Sequence, residues 1–339
     1  MKKWTGYRKG INLGGWLSQC KYEKYHYDTF ITEKDIETIA LWGADHVRLP
    51  IDYEVIDKIE ETGTAVGLQY INHCLDWCKK YHLNIILDLH KVPGFSFCET
   101  DTSKNNLFDN TNLQQQFLKI WDVLAQMYGK FSDFVSFELL NEIVEQDSLR
   151  WNALATQAIQ IIRNHTKDTN IVVGGIQWNS VHTLDQLELP QDENIVYNFH
   201  FYEPFLFTHQ SASWLELMPK GERRYPGDIN DYRRTSKEIN AFGSGLYNKG
   251  ITKLGCDYLS SLINSAVKAA IDNNVRLYCG EYGVIQDAPA ESIVRWYEDM
   301  HEVFEKYGIG RAAWTYKSID FGISDLYKKE IREIIIANI

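Results

Sequence analysis

Basic residues are scarce in this 339-residue sequence, which has 35 Lys and Arg against 46 Asp and Glu and a formal net charge of −11. That balance argues against nucleic acid as a partner, because its phosphates would be repelled. No run of about 18 apolar residues occurs, so the sequence predicts neither a membrane-spanning helix nor a membrane partner. An apolar segment behind Lys2 and Lys3, which a secretory signal would need, is also missing. We therefore expect a cytoplasmic protein, or an exported one if a leader has been removed.

Several catalytic and cofactor motifs are missing too. No G-x-G-x-x-G follows an early strand, which disfavours a doubly wound dinucleotide-binding fold. No G-x-S-x-G occurs, so a serine nucleophile has little support. The six cysteines include no C-x-x-C pair, which argues against a zinc ribbon or redox motif and favours free thiols.

Aromatic residues, in contrast, are abundant. The chain has 10 Trp, 20 Tyr and 15 Phe, or 13% of its residues. This is more ring surface than a core of this size needs, so we expect some rings to face a ligand. The apolar faces of pyranose rings are one surface on which aromatic side chains can stack.

Short apolar runs alternate with amphipathic stretches along the chain. The predicted strands are 11–13, 46–49, 85–89, 135–140, 171–173, 195–199, 277–279 and 312–314. Helical periodicity occupies 32–41, 70–81, 113–128, 148–165, 261–271, 292–307 and 326–339. Eight strands alternating with helices favour a closed (β/α)8 TIM barrel of the α/β class. We expect residues 1–339 to form a single catalytic domain.

The stretch 203–257 breaks this rhythm. At about 55 residues, it is too long for an ordinary connection between a strand and a helix. It contains aromatic residues such as Phe205 and Trp214, whereas disordered segments are poor in them. We therefore predict an ordered insertion subdomain after the sixth strand, on the face that carries the other strand-to-helix loops.

Polar and aromatic residues mark the carboxyl ends of the strands, where barrel enzymes place their active sites. These residues are Arg48, His90, Asn141, Glu142, His200, Tyr202, Glu281 and Trp314. Glu142 and Glu281, which are far apart in sequence, would face each other across the barrel mouth. Paired carboxylates suit cleavage of a glycosidic bond, in which one protonates the leaving oxygen and the other attacks the anomeric carbon.

The expected surroundings give the two glutamates different roles. Arg48 would keep Glu281 ionised as a nucleophile, and Tyr202 could donate a hydrogen bond to the same carboxylate. Glu142, as the acid, would need a raised pKa and therefore a more desolvated position.

A metal-dependent hydrolase is the alternative that the histidines allow. Asp88, His90 and His200 could bind a metal, but two histidines without an H-x-H pair are few ligands for such a site. We expect neither a metal nor a cofactor. The histidines are instead predicted to bind sugar hydroxyls or to steer the carboxylates, with Asp88 as a supporting acceptor.

Seven segments resemble the motifs of glycoside hydrolase family 5, the large family of cellulase-like retaining enzymes. The segments are 10–16 (GINLGGW), 46–50 (HVRLP), 87–90 (LDLH), 137–142 (FELLNE), 197–202 (YNFHFY), 280–283 (GEYG) and Trp314. They occur in the family's order and cover the chain from residue 10 to about residue 317. Segments 31–39 and 207–210 are similar to a clostridial endoglucanase and lichenase branch, which cleaves β-1,4-glucan and mixed-linkage β-1,3-1,4-glucan.

The resemblance implies a role for each matching residue. Glu142 corresponds to the acid/base and Glu281 to the nucleophile. The supporting and substrate-binding positions are Arg48, His90, Asn141, His200, Tyr202 and Trp314, the last as the platform beneath the sugar next to the cleaved bond. We add Trp214 and Phe205 as insertion residues expected to stack on sugar.

One position departs from the family pattern. Many relatives carry a second histidine directly after the first, whereas this chain has Lys91. This departure leaves the catalytic positions intact, but the family pattern then no longer defines the neighbouring sugar subsite.

The sequence thus predicts a monomeric retaining endo-β-glucanase whose substrate is a β-glucan polysaccharide or oligosaccharide. Three alternatives remain at this point. The same scaffold could serve an exo-acting β-1,3-glucanase or β-glucosidase, or an enzyme that cleaves mannan or glucomannan. A carbohydrate-binding protein without catalytic activity is the third.

Overall fold

The computed structural model describes residues 1–56, 67–99, 103–239 and 252–339. In this part of the chain, parallel strands β1 to β8 close into a barrel in chain order, with β1 also pairing with β8. The strands are β1 (Lys9–Asn12), β2 (His46–Asp52), β3 (Asn84–Lys91), β4 (Val135–Glu138), β5 (Ile171–Gly174), β6 (Ile195–Phe201), β7 (Arg276–Tyr282) and β8 (Gly310–Ala313). The predicted (β/α)8 barrel is confirmed.

Helices surround the barrel and follow the strands. They span Lys24–Thr29, Glu33–Leu41, Leu68–Lys80, Thr111–Tyr128, Ser148–His165, Phe205–Thr208, Ile229–Glu238, Cys256–Asp272, Ala290–Tyr307 and Lys329–Asn338. Local capping fixes where several of them begin. Asp147, for example, accepts a hydrogen bond from the Leu149 amide at 3.0 Å, and the Thr32 amide donates to Asp35 at 2.8 Å. None of these described helices is both long and apolar enough to cross a membrane.

The barrel interior consists of an apolar floor and a polar upper layer. The floor contains Trp4, Tyr7, Ile86, Val172, Val196, Tyr278 and Ala312. Successive residues of a strand point to opposite sides of the sheet, so every second residue of β3 faces inward. Ile86 therefore lies in the floor, Asp88 above it and His90 at the mouth. The strands carry the candidate site on the same inward rows that build the floor.

A second core lies between the barrel and the helices. Trp121 and Trp151 are fully buried in it, and their indole N–H groups donate to Leu139 O at 3.0 Å and Gly174 O at 2.9 Å. Burial of such a ring contributes roughly 2 kcal/mol or more. These contacts tie two helices to the ends of β4 and β5, where the chain enters the loops of the site.

The strand boundaries differ from the prediction in one useful respect. β2, β3, β6 and β7 continue beyond the predicted segments 46–49, 85–89, 195–199 and 277–279, so His90, His200 and Glu281 lie within strands rather than after them. Main-chain pairing of Asp52 with Lys91 and of His200 with Glu281 extends these strands through polar residues, which hydropathy alone does not register.

The predicted insertion is described only in part. Helices Phe205–Thr208 and Ile229–Glu238 belong to it, whereas residues 240–251 lie outside the described residues. A single domain over residues 1–339 with an insertion subdomain at 203–257 stays a prediction. All six cysteines are free thiols.

Candidate active site

Arg48 is the charged centre of the site. Its guanidinium is fully buried and contacts the carboxylates of Asp88, Glu138 and Glu281 at 2.9, 2.7 and 2.8 Å. The pair with Glu138 is bidentate, since Nε and Nη2 donate to separate oxygens. Nη2 also donates to Asn141 Oδ1 at 2.8 Å. One buried cation thus orients side chains from β3, β4 and β7 and from the loop after β4.

Glu138 and Asn198 complete this network, although the sequence analysis assigns neither of them a role. Asn198 Nδ2 donates to Glu138 Oε1 at 2.9 Å, and its Oδ1 accepts from the Gly280 amide at 2.8 Å. Both residues could have been found from the alternation of inward and outward side chains along a strand, because each is a polar residue at an inward position of an otherwise apolar strand. Which inward residues meet depends on the barrel register.

An extra residue in β7 brings Glu281 next to β6. The pairing of β6 with β7 skips Gly280, so that His200 stands opposite Glu281. Such bulges re-aim side chains and are common beside active sites. A Cβ on Gly280 would lie 2.8 Å from the Asn198 side chain, so only glycine permits this close approach.

Both oxygens of the Glu281 carboxylate are held. Arg48 Nη1 donates to Oε1 at 2.8 Å, and the Tyr202 hydroxyl donates to Oε2 at 2.9 Å. The structure therefore brings these three predicted residues together as the sequence suggested. The carboxylate is fixed in one orientation, with its charge stabilised by a cation and a hydroxyl.

Glu142 lies opposite, at the start of the loop after β4. Its φ of 39° is unusual for a residue with a side chain, and such backbone strain is concentrated at functional sites. His200 Nδ1 lies 2.8 Å from Glu142 Oε1, and Asn179 Nδ2 donates to the other ring nitrogen at 3.3 Å. This arrangement places the imidazole proton on Nδ1, where it is donated to Glu142.

The surroundings of the two glutamates shift their pKa values to different extents. Burial, together with the nearby charge of Glu281, raises the pKa of Glu142 well above its usual range. Burial also raises the pKa of Glu281, but the Arg48 charge opposes that rise. Of the pair, Glu142 therefore holds the proton. Burial, with a contribution from Arg48, lowers the pKa of His200 well below its usual range and keeps the ring neutral.

His90 and Trp314 form one wall of the mouth. Their rings stack with centroids 5.8 Å apart and an interplanar angle of 7°. His90 Nδ1 lies 2.6 Å from Asp88 Oδ2, so Asp88 orients this ring as a supporting acceptor. Burial raises the pKa of Asp88 to about 7 and lowers that of His90 to about 4.

The predicted insertion rings of Phe205 and Trp214 pack around His209. Phe205 stacks on His209 with centroids 4.4 Å apart, and His209 in turn contacts the Tyr202 ring at 5.0 Å. Trp214 lies further out, 6.3 Å from His209 and 50% exposed. His209 therefore links Phe205 to Tyr202, whereas Trp214 is half exposed to solvent.

A metal ion would have to share the atoms of the two glutamates. Among the described residues, ligand atoms of Glu142, His200 and Glu281 lie within 4.8 Å of one another. Asp88 and His90, which the sequence offered as ligands, are instead engaged with each other and, through Asp88, with Arg48.

Comparisons with known proteins agree with this geometry. The family model described as cellulase (glycosyl hydrolase family 5) matches residues 6–320. The chain is 42% identical to endoglucanase C of Acetivibrio thermocellus over 337 residues, which cover 98% of this chain and 97% of that protein. It is 38% identical to cellodextrinase A of Ruminococcus flavefaciens over 312 residues, which cover 92% of this chain and 86% of the relative.

Solved structures show the same architecture. The crystal structure of the clostridial cellulose synthase subunit Z from Clostridioides difficile superposes with a TM-score of 0.76 at 26% identity. The match covers 98% of this chain and 99% of that one.

Proposed function

The chain belongs to glycosyl hydrolase family 5, and from that premise we propose that it is a retaining endo-β-glucanase. Its substrates are cellulose-like β-1,4-glucans and mixed-linkage β-1,3-1,4-glucans. The family membership and the endoglucanase relatives support a glycoside hydrolase acting on polysaccharide. The retaining mechanism rests on the arguments that follow, and the linkage is tested by the substrate panel described below.

The spacing of the two carboxylates carries the proposal of retention. One oxygen of Glu142 and one of Glu281 lie within 4.8 Å of each other. Retaining glycosidases hold their carboxyl groups about 5–5.5 Å apart, whereas inverting enzymes need about 6.5–9.5 Å to admit a water between them. The short spacing leaves no room for that water and favours direct attack by a carboxylate.

In the first step, a Glu281 oxygen attacks the anomeric carbon while the bond from that carbon to the leaving oxygen breaks. The proton on Glu142 passes to the leaving oxygen, so the departing sugar leaves as a neutral alcohol. In the second step, Glu142 takes a proton from a water whose oxygen attacks the same carbon and releases Glu281. Each attack inverts the anomeric centre, so two attacks retain its configuration.

The neighbouring groups support this division of labour. Arg48 and Tyr202 stabilise Glu281 as a carboxylate before attack and after release. Asn141 Nδ2 is buried and has no hydrogen-bond partner among the residues that the structure describes. An unsatisfied buried donor is costly, and a sugar hydroxyl would satisfy it. This amide therefore supports a substrate contact beside the acid.

The two glutamates predict a bell-shaped pH dependence of kcat/KM. Activity is lost at low pH as Glu281 gains a proton and at high pH as Glu142 loses one. Because burial raises both pKa values, we expect both limbs above the usual carboxyl range. The profile is measured on a soluble β-glucan. An acidic limb at or below the ordinary glutamate pKa would contradict this assignment.

Specificity within the family is tested by a substrate panel with product analysis. We expect oligosaccharides of mixed length from lichenan, barley glucan and carboxymethyl-cellulose, with slower cleavage of laminarin and glucomannan. Release of glucose alone from chain ends would instead favour an exo-acting enzyme. Faster cleavage of glucomannan would favour the mannan alternative, and binding of lichenan without new reducing ends would favour a non-catalytic protein.

A further inference from the structure

The turn that follows β5 has an unusual backbone and ends beside His200. Gln177, Trp178 and Asn179 have φ values of 53°, 58° and 52° in succession. Three consecutive left-handed residues are rare, because this conformation crowds the Cβ of an L residue against its own main chain. Backbone outliers of this kind are concentrated at functional sites, so the turn is a candidate for a role in the reaction.

Two contacts fix this turn against the site. The Trp178 amide donates to Ile143 O at 2.9 Å, which ties the turn to the loop that carries the acid. β5 ends in Gly174, where a Cβ would lie only 2.1 Å from Asn179 Oδ1, so glycine makes room for the side-chain amide. The fully buried Asn179 side chain is therefore held between the end of β5 and the ring of His200.

The Asn179 amide decides which nitrogen of His200 carries the proton. Its Nδ2 donates to Nε2 of the ring at 3.3 Å, so Nε2 is the unprotonated nitrogen and Nδ1 the protonated one. Asn179 Oδ1 is buried and has no hydrogen-bond partner among the residues that the structure describes. The turn thus keeps an amide donor on the ring although the amide oxygen goes unsatisfied, which is a cost that functional sites can carry.

The tautomer matters because Glu142 must direct its own proton. Nδ1 of His200 donates to Glu142 Oε1 at 2.8 Å, so the acidic proton belongs on Oε2, from which it can pass to the leaving oxygen. In the other tautomer, Nδ1 has a lone pair, and Glu142 would donate its proton to His200 instead of to the substrate. Burial lowers the pKa of His200 and keeps the ring neutral, so the ring must adopt one of these two tautomers.

We propose that Asn179 is a positioning residue for acid catalysis, because its amide holds His200 in the tautomer that leaves the Glu142 proton free for the leaving group. The proposal rests on the glycosidase function proposed above. Asn179 acts through His200, and its effect is confined to the steps in which Glu142 gives up or takes a proton.

Aryl β-cellobiosides that differ only in the leaving group separate this role from a structural one. 2,4-Dinitrophenolate leaves without a proton, whereas the phenolate of phenyl β-cellobioside needs one. In Asn179→Ala and Asn179→Asp we expect kcat/KM for the phenyl compound to fall roughly 10–100-fold, as part of the contribution of general acid catalysis. The value for the dinitrophenyl compound should change less than about threefold, since its first step does not need the acid. A merely structural role would lower both values equally.

Nitrogen NMR of enzyme with isotope-labelled histidine reports the tautomer itself, because protonated and unprotonated ring nitrogens differ widely in chemical shift. We expect the His200 proton on Nδ1 in the parent, and a proton on Nε2 in Asn179→Asp, whose ionised carboxylate can only accept. Aspartate tolerates the left-handed backbone as asparagine does, so this variant should keep the turn. The His200 signals are identified by their absence from His200→Asn.

Asn152→Ala is the matched control. Asn152 is another buried asparagine whose Nδ2 donates, to Gln186 O at 2.9 Å, but it lies on a surrounding helix. Its ratio of the two kcat/KM values should equal that of the parent, and thermal unfolding should confirm that all variants fold. A parent-like ratio in both Asn179 variants, or a His200 proton on Nε2 in the parent, would overturn the positioning role alone. A parent enzyme that hydrolyses neither compound would overturn the proposed function, and the positioning role with it.

Discussion

Replacing Glu281 by glutamine is expected to lower kcat on β-glucan by on the order of 10⁴-fold or more, because no covalent intermediate can form without the nucleophile. Glu142→Gln should cost about 10²–10⁴-fold on the same substrate, because it removes general acid catalysis. The loss in Glu142→Gln should shrink for the first step of 2,4-dinitrophenyl β-cellobioside hydrolysis, since that leaving group needs no proton.

Truncation to alanine allows a sharper distinction between the two roles. In Glu281→Ala, added azide should attack the anomeric carbon from the face that the carboxylate vacated and give the α-cellobiosyl azide. In Glu142→Ala, azide should instead attack the glycosyl-enzyme and give the β-azide. NMR of the products identifies the anomers. The same anomer from both variants, or exchanged anomers, would refute the assignment of roles.

Glu203→Gln is the control for these losses. Glu203 is also a buried glutamate, and burial raises its pKa to about 7. It accepts a hydrogen bond from the Phe205 amide at 3.0 Å, which a glutamine oxygen can also do. We expect this variant to retain activity close to that of the parent.

The identity of the paired glutamates was accessible from sequence because each lies at or just beyond the carboxyl end of a barrel strand, and a second rule leads to several of their neighbours. A TIM barrel gathers the carboxyl ends of its strands, and alternation along a strand identifies the residues that face its axis. Glu142 and Glu281 satisfy the first condition without knowledge of any contact, but not the second, because Glu142 lies beyond β4 and only the bulge at Gly280 turns Glu281 toward the axis. The same rules lead to Arg48, His90 and His200, all of which lie at the observed site.

The contacts that tune the site were not accessible in this way. Glu138 and Asn198 meet only because the register of β4, β5 and β6 brings their inward rows to one height. The bulges at Gly280 and His90 insert one residue each, and no hydropathy pattern marks them. The stacking of Phe205 on His209 was also not accessible, because tertiary contacts decide how the aromatic residues of a loop pack, and its contact with sugar stays a prediction.

Arg48→Met should be the most damaging single substitution outside the catalytic pair. It leaves Asp88, Glu138 and Glu281 buried without their shared cation. Removal of one partner from a buried ion pair typically costs about 3–5 kcal/mol. We expect that loss in the free energy of unfolding, measured by urea denaturation, together with a large loss of activity.

The pH profile separates this electrostatic role from a purely structural one. Arg48 opposes the rise that burial causes in the pKa of Glu281, so its removal should raise that pKa further. The ionised nucleophile then persists only at higher pH, and the acidic limb of kcat/KM should move upward. Arg48→Lys, which keeps the charge but loses the bidentate geometry, should fold better and shift the limb less.

Arg311→Met supplies the matched comparison. Arg311 is equally buried, but it bonds to Glu305 at 2.6 Å and its guanidinium lies 5.5 Å from the Phe304 ring of a surrounding helix. Its loss should therefore destabilise the fold and leave the acidic limb in place. An unshifted acidic limb in both Arg48 variants would mean that Arg48 only stabilises the fold. A shift in the Arg48 variants alone would show that the charge at the centre of the barrel sets the pH at which the nucleophile is ready to attack.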